Sequence, residues 1–117
     1  MISTIYCLSL IVYFEGSITS DFTKRLITSV AIERAKQENL SICESMKKPK
    51  SYSWMWDGRN TKPNKKTMKS YHNLIKEELA RPTITGRKYF NECKSITKGR
   101  KYTTKYRVIK SDNLCFY

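Results

Sequence analysis

The sequence is poor in the residues that build metal sites and catalytic triads. It has one histidine, His72, and its four cysteines, Cys7, Cys43, Cys93 and Cys115, are spaced too widely for a Cys-x-x-Cys zinc site. We therefore expect no metal and no cofactor, and a histidine-based triad has no support. Cys7 and Cys115 lie in apolar runs, which favours buried small side chains. Whether the cysteines form disulfides is left open, because an even number of cysteines is weak support for pairing.

A signal peptide and a membrane span are not expected either. The apolar run from Ile2 to Phe14 is shorter than the about 20 residues of a transmembrane helix. No Lys or Arg occurs before Lys24, and no small-x-small cleavage site follows the run. We interpret the run as a buried first helix.

Basic residues far outnumber acidic ones. There are 23 Lys+Arg against 10 Asp+Glu, so the formal net charge is +13. A field of this size concentrates polyanions near the surface, and nucleic acid, anionic lipid and bacterial cell wall all qualify. The alternative is a solvated Lys-rich surface without specific contacts.

Helical spacing dominates the chain and predicts an α+β fold, mainly helical, in a single domain over 1–117 with a small β element near the C-terminus. The predicted helices are a first that ends at Glu15-Gly16, a second capped at Thr19-Ser20-Asp21 and fading near Gln37, a short third capped by Asn39, and a longer one from Asn64 that stops before Pro82. The predicted strands are Arg107–Ile109 and Leu114–Tyr117.

Two segments stand apart from ordinary core or surface. Glu15 follows Tyr13 and Phe14, and a carboxyl group pressed against aromatic rings has a raised pKa that suits proton donation near neutral pH. Position alone favours the alternative, a surface acid at a helix end.

The second segment is YSWMWDG at 52–58, where three large aromatic residues occur within five positions. In an extended segment Tyr52, Trp54 and Trp56 would lie on one side and stack on sugar rings or bases. The alternative is a loop folded inward to complete the core, which we expect for at least one tryptophan.

Both segments resemble the SleB-type cell wall hydrolases. CLSLIVYFEG at 7–16 is similar to that family's C-L-A-x-x-x-Y-x-E-A, and Val30 and Arg34 fall on its V-x-L-N-R helix. SYSWMWDG at 51–58 is similar to its F-S-W-T-W-D-G, and KYFNEC at 88–93 and DNLCFY at 112–117 are weaker matches. The resemblance implies a lysozyme-like fold that cleaves the β-1,4 bond between N-acetylmuramic acid and N-acetylglucosamine.

Under this resemblance Glu15 is the catalytic residue. The residues implied to bind the glycan are Tyr52, Ser53, Trp54, Trp56, Asp57, Tyr89, Phe90 and Asn91. The chain departs from the family in five places. The second acidic residue falls on Thr19, an arginine on Ser17, the helix asparagine on Glu33 and a terminal histidine on Leu114, and the P-x-W after the Tyr-Asn step is absent. These departures indicate a divergent member, encoded by a bacteriophage and held in a virion or in the host cytoplasm until it reaches the wall.

The threonine at position 19 bears on the reaction. Glycoside hydrolysis ordinarily needs two carboxylates, and Asp57 beside Gly58 is equally typical of a turn. A lytic transglycosylase needs one: Glu15 protonates the leaving oxygen and then takes the proton of the muramyl 6-hydroxyl group, which attacks its own anomeric carbon. We therefore expect a lytic transglycosylase whose partner is the peptidoglycan glycan strand.

Two other functions stay open. One is an inactive homologue that serves as a structural virion protein among other virion proteins, because a shared fold does not guarantee activity. The other is a basic nucleic-acid-binding module that combines a cationic groove with stacking aromatic residues. The chain has no recognisable nucleic-acid-binding motif, so a specific nucleic-acid partner is not expected.

Overall fold

The computed structural model describes residues 3–49, 52–55, 63–83, 87–93 and 108–117, with Ser53 described by its backbone alone. Within these ranges a series of helices precedes a small antiparallel sheet, which confirms the predicted α+β class. The helices are α1 (Thr4–Gly16), α2 (Asp21–Glu38), α3 (Ile42–Lys47), α4 (Lys65–Ser70) and α5 (His72–Ala80), with a 3-10 turn at Ser53–Met55. The strands are β1 (Phe90–Glu92), β2 (Ile109–Ser111) and β3 (Leu114–Phe116).

Helix α1 lies at the centre of the fold. Its side chains Cys7, Leu8, Ile11 and Val12 are at most 1% exposed, and the helix packs against α2, α3, α4 and α5. Apolar residues around most of a helix are typical of a buried position. The one buried hydroxyl, on Ser9, donates to the Ile5 carbonyl at 2.7 Å, so burial leaves it satisfied.

Helix α2 covers α1 with a buried stripe that begins at Thr23. Thr23, Leu26, Ile27 and Val30 recur at intervals of three and four residues and are at most 1% exposed. Phe22 lies beside the stripe and is 56% exposed. No helix among the described residues combines the length and the apolar character needed to cross a bilayer.

One of the predicted helix boundaries, the start of α3, is wrong. Asn39 does not begin α3 but ends α2: its φ of 55° is left-handed, and its N–H donates to the Ala35 and Lys36 carbonyls. The N-cap of α3 is Ser41, which forms a capping box with Glu44. Asparagine suits both kinds of helix end, so its presence alone did not distinguish them.

The long helix predicted after Asn64 is two helices. Asn64 is the N-cap as expected and accepts a hydrogen bond from Thr67 N–H. The helix is interrupted at Tyr71, whose N–H donates to the Met68 and Lys69 carbonyls and whose side chain is 6% exposed. Leu79, near the end of α5, is 37% exposed, whereas Ile75 is fully buried.

The sheet is three-stranded, in the order β1-β3-β2, and both pairings are antiparallel. The predicted C-terminal hairpin is present as β2 and β3, but β2 overlaps the predicted strand Arg107–Ile109 only at Ile109. Strand β1 was not predicted. Strand β3 is the central strand and pairs with both neighbours: its Phe116 faces Phe90 of β1 on one side and Ile109 of β2 on the other. Phe116 is fully buried, so the sheet closes the core.

The turn of this hairpin is anchored to the start of α2. Asp112, with a left-handed φ of 54°, accepts hydrogen bonds from Ser20 N–H at 3.1 Å, from Ser20 Oγ at 3.0 Å and from Thr23 Oγ1. Ser20 is also the N-cap of α2, as predicted. A carboxylate at a helix N-terminus is stabilised by the helix dipole. These hydrogen bonds, first from Thr23 and then from Ser20, lower the pKa of Asp112.

All four cysteines are paired. Cys7 of α1 is bonded to Cys43 of α3, and Cys93, directly after β1, is bonded to Cys115 of β3, with Cα–Cα distances of 5.5 and 5.0 Å. Cys7 and Cys115 are buried as expected but do not act simply as small apolar side chains. The sequence left the pairing open because it does not reveal that α3 folds back onto the first turns of α1.

We expect removal of the Cys7–Cys43 bond to destabilise the protein. The bond joins residues 36 apart, and loop-closure entropy of that size contributes about 3–4 kcal/mol. The Cys7→Ala/Cys43→Ala variant should show this loss in urea unfolding. The matched comparison is Cys93→Ala/Cys115→Ala, which removes a bond between residues 22 apart. This variant should lose slightly less free energy of unfolding. An unfolding midpoint that is unaffected by reducing agent would contradict the pairing.

Asp112 predicts a dependence of stability on acid. Because its pKa in the folded state lies below the ordinary 3.8, its contribution is present above pH 3.8 and is lost as the pH falls through the lowered value. Asp112→Asn should therefore melt earlier than the parent protein at neutral pH and approach it in strong acid. The control for the lost charge is Asp21→Asn, because the Asp21 carboxylate is nearby but is not among the hydrogen-bond partners of this turn. A constant difference at all pH values would argue against the anchor.

Candidate active site

Glu15 lies where the buried stripe of α1 reaches the edge of the core. It follows Ile11 by four residues and Leu8 by seven, so it shares their face of the helix, and its side chain is partly buried. The next residue, Gly16, is the last of α1, and a Cβ there would collide with the Cδ1 of Ile27. Glycine at this position therefore allows α2 to pass close to the end of α1 beside Glu15.

Tyr52 connects Glu15 with Arg34 of α2. The Tyr52 side chain is 3% exposed, and its burial raises the pKa to about 12. The Arg34 guanidinium, which hydrogen-bonds to the Tyr52 hydroxyl, opposes this shift, while the negative charges of Glu15 and, more weakly, Glu38 add to it. The Tyr52 hydroxyl is thus a neutral group surrounded by one cation and two carboxylates.

Arg34 lies between two aromatic rings. Its Cζ atom is 4.7 Å from the centroid of Tyr52 and 5.6 Å from that of Tyr89. Tyr89 is 53% exposed, so it forms the outer side of the site as Tyr52 forms the floor. Its backbone is held by Tyr117, to which it donates at 2.9 Å and from which it accepts at 2.8 Å.

Trp54 packs against the last turn of α1, beside Tyr52. Its ring is 2% exposed and stacks on Phe14, the residue before Glu15, with centroids 4.5 Å apart and planes 18° apart. Neither Trp54 nor Tyr52 offers an open face, so direct stacking of these two rings on a sugar, which the aromatic loop suggested, is not possible in this structure. The loop folds inward here because Trp54 fills the space beside α1.

Glu38 is a second carboxylate near Tyr52, but its two oxygens have other partners. Lys48 Nζ donates to Oε2 at 2.6 Å and Ser45 Oγ donates to Oε1 at 2.6 Å. These two hydrogen bonds, that of Lys48 first, lower the pKa of Glu38. Glu38 therefore stays ionised and joins the end of α2 to α3.

The other predicted glycan-binding residues are distributed unevenly. Phe90 points toward the core, with its ring centroid 5.5 Å from that of Phe116, and Asn91 is exposed, its Oδ1 accepting from Glu92 N–H. Trp56, Asp57 and the side chain of Ser53 lie outside the described residues. Of the predicted set, the structure therefore brings Tyr52 near Glu15, Trp54 against the neighbouring Phe14, and Tyr89 against Arg34.

Arg34 received no role from the sequence, although the resemblance included it. The spacing of the sequence could have identified Arg34. It follows Val30 by four residues and Ile27 by seven, so a cation continues the apolar stripe of α2. Such a residue needs a partner at the edge of the core, and Tyr52 supplies one. The described parts of the chain contain no cluster of three or more His, Cys, Asp or Glu side chains suited to a metal ion.

The arrangement provides one partly buried carboxyl group, a neutral phenol, a cation and an exposed ring within one region. A carboxyl group of this kind can exchange a proton with a ligand oxygen, and the ring can contact a sugar. Searches against protein-family models, curated proteins and solved structures give no match to this chain.

Tyr52 predicts a loss of stability at alkaline pH. Because its pKa is raised from 10.0 to about 12 in the folded state, the unfolded chain ionises first as the pH rises. Its contribution is thus complete below pH 10 and is lost between pH 10 and 12. Tyr52→Phe should flatten this part of the stability profile in urea unfolding, and Tyr6→Phe, at a ring that is 42% exposed, should not. Equal alkaline slopes for all three proteins would refute the buried position of the hydroxyl.

Proposed function

We propose that the protein cleaves peptidoglycan at the β-1,4 bond between N-acetylmuramic acid and N-acetylglucosamine, with Glu15 as its acid and base. The convergence of Glu15, Tyr52 and Arg34 at the edge of the core carries the proposal. All three lie in the segments that resemble the SleB-type hydrolases. We accordingly propose that the helical domain with its small sheet is lysozyme-like.

In the first step the Glu15 carboxyl group donates its proton to the glycosidic oxygen. The bond between that oxygen and the muramyl anomeric carbon breaks, and N-acetylglucosamine leaves as an alcohol. Glu15 is then a carboxylate near the neutral hydroxyl of Tyr52. Exposed Tyr89 supplies a ring against which a sugar can lie.

In the second step Glu15 takes the proton of the muramyl 6-hydroxyl group, and that oxygen bonds to the anomeric carbon. This route needs one carboxylate, whereas hydrolysis ordinarily needs two. Glu38 is already engaged by Lys48 and Ser45. Thr19, at the family's second acidic position, donates its hydroxyl to the Gly16 carbonyl at 2.6 Å and so stabilises the turn after α1. We therefore favour the lytic transglycosylase reaction.

The setting we propose is the bacterial cell wall, reached from a bacteriophage particle or from an infected host. Two disulfides suit a protein that acts outside a reducing cytoplasm. The net charge of +13 suits an anionic wall, with exposed lysines on α3 and α4. Salt should weaken this attraction, because surface charges are screened by ions.

The decisive variant is Glu15→Gln. Loss of the transferable proton should slow digestion of purified peptidoglycan by at least about a hundredfold, the usual contribution of general acid catalysis. Glu44→Gln is the matched control: Glu44 is exposed, and glutamine preserves its capping box. Circular dichroism should show the same fold for both. A Glu15→Gln protein that digests the wall at the parent rate would remove Glu15 from the mechanism.

The products of the same digestion identify the reaction. Mass spectrometry should find 1,6-anhydro-muropeptides, because the 6-hydroxyl group attacks in place of water. Reducing ends would instead indicate hydrolysis. A folded parent protein that digests no wall from several bacterial classes would favour the inactive virion homologue, and salt-sensitive retardation of nucleic acid would favour the binding module.

A further inference from the structure

A row of exposed lysines runs along α4 and α5 and has no part in the cleavage mechanism. The lysine row consists of Lys65, Lys69 and Lys76. Lys65 and Lys69 are four residues apart in α4 and therefore share one face of that helix. Lys69 and Lys76 directly follow the buried residues Met68 and Ile75, so both bear the same relation to the core. At about 1.5 Å per helical residue, the row extends over about 16 Å.

Acidic side chains do not neutralise the lysine row. From 58 to 76 the sequence has six Lys or Arg and no Asp or Glu. The two acids of α5 are engaged elsewhere: Glu77 pairs with Arg25 of α2, and buried Glu78 accepts hydrogen bonds from the N–H and the hydroxyl of Thr83. Among the described residues, none of the three lysines takes part in an ion pair. The row therefore presents positive charge directly to its surroundings.

The position of these lysines is unfavourable for the helix that carries them. Lys65 and Lys66 are the first two residues of α4, where the helix dipole favours anions over cations. Lys65 and Lys69 are also like charges at a spacing of four residues, and their repulsion weakens a helix. Departures from the local rules of stability are typical of functional sites. An anion lying along the row would offset both costs.

The surface around the lysine row indicates the kind of anion. Ammonium groups are point charges that bind phosphate without a fixed geometry, so a row of them fits a chain of repeated phosphates. Within α4 and α5, both of which the structure describes throughout, no aromatic ring is exposed, and Tyr71 between them is buried. Proteins that bind single-stranded nucleic acid add stacking aromatic rings to their cationic grooves. The surface therefore suits a phosphodiester chain that carries no bases.

We propose that the lysine row binds an extended polyol phosphate polymer of the teichoic-acid class, with successive phosphates along Lys65, Lys69 and Lys76. The natural source rests on the proposed function, because such polymers are attached to bacterial walls. Helix α4 packs against α1, and Tyr71, which follows α4, is close enough to interact with Tyr13 of α1. Tyr13 is two residues before Glu15. A polymer bound along the row would thus hold the proposed active site at the wall surface.

The proposal is tested by titrating poly(glycerol phosphate) into the full oxidised chain at several salt concentrations. The test variant removes the whole row: Lys65→Gln/Lys69→Gln/Lys76→Gln. It should bind the polymer at least about tenfold more weakly than the parent protein, because three ion pairs are lost. Its slope of log affinity against log salt should become shallower by about 2, since fewer counterions are released.

The matched control removes three exposed lysines from other elements, which leaves both variants with the same net charge: Lys36→Gln/Lys47→Gln/Lys110→Gln. The control should bind the polymer nearly as tightly as the parent protein. Glutamine is about as good a helix former as lysine, so circular dichroism should show the same fold for all three proteins. The test variant should melt no earlier than the parent protein, because like-charge repulsion in α4 is removed.

Three results would overturn the proposal. They are the absence of saturable polymer binding, an equal loss of affinity in the two variants, and tighter row-dependent binding of a single-stranded oligonucleotide with the same number of phosphates. The second result would assign the attraction to net charge alone, and the third would assign the row to nucleic acid.

The variant Glu15→Gln separates this proposal from the cleavage mechanism. It should bind poly(glycerol phosphate) like the parent protein, because Glu15 is not part of the lysine row. Row-dependent polymer binding by a parent protein that digests no wall would leave this proposal standing and refute the proposed function. Wall digestion without polymer binding would refute the lysine row alone.

Discussion

Burial of α1 is the constraint on which the other elements depend. Its side chains Cys7, Leu8, Ile11 and Val12 are almost wholly inaccessible, so a short chain must place its other helices around this one. The other elements cover α1 as far as its last residue, Gly16. The partly buried Glu15 is therefore a consequence of the packing: it occupies the last position on the apolar stripe, where the core meets the surface.

The charged centre of the site continues the packing of two helices. Glu15 extends the apolar stripe of α1, and Arg34 extends that of α2. The buried Tyr52 lies close to both, and its hydroxyl is hydrogen-bonded to Arg34 at the edge of the core. Stability and chemistry thus rest on the same residues, and changes at Tyr52 should affect both.

The C-terminal hairpin contributes to the site from a distance. Asp112 fixes its turn to the start of α2 across 92 residues, and the Cys93–Cys115 bond joins β1 to β3. The backbone pairing of Tyr89 with Tyr117 then holds Tyr89 beside Arg34. A strand pair with few residues becomes a firm support because a helix cap and a covalent bond secure it.

The sequence by itself determined the features that depend on neighbours a few residues away. The burial of α1, the caps at Ser20 and Asn64, the α+β class and the place of Glu15 at a helix end follow from local spacing. Tertiary structure alone decided the cysteine pairs, the stacking of Trp54 on Phe14, strand β1 and the partners of Arg34. Those features join residues far apart in the chain, and which surfaces meet is settled by packing the whole core rather than by any local pattern.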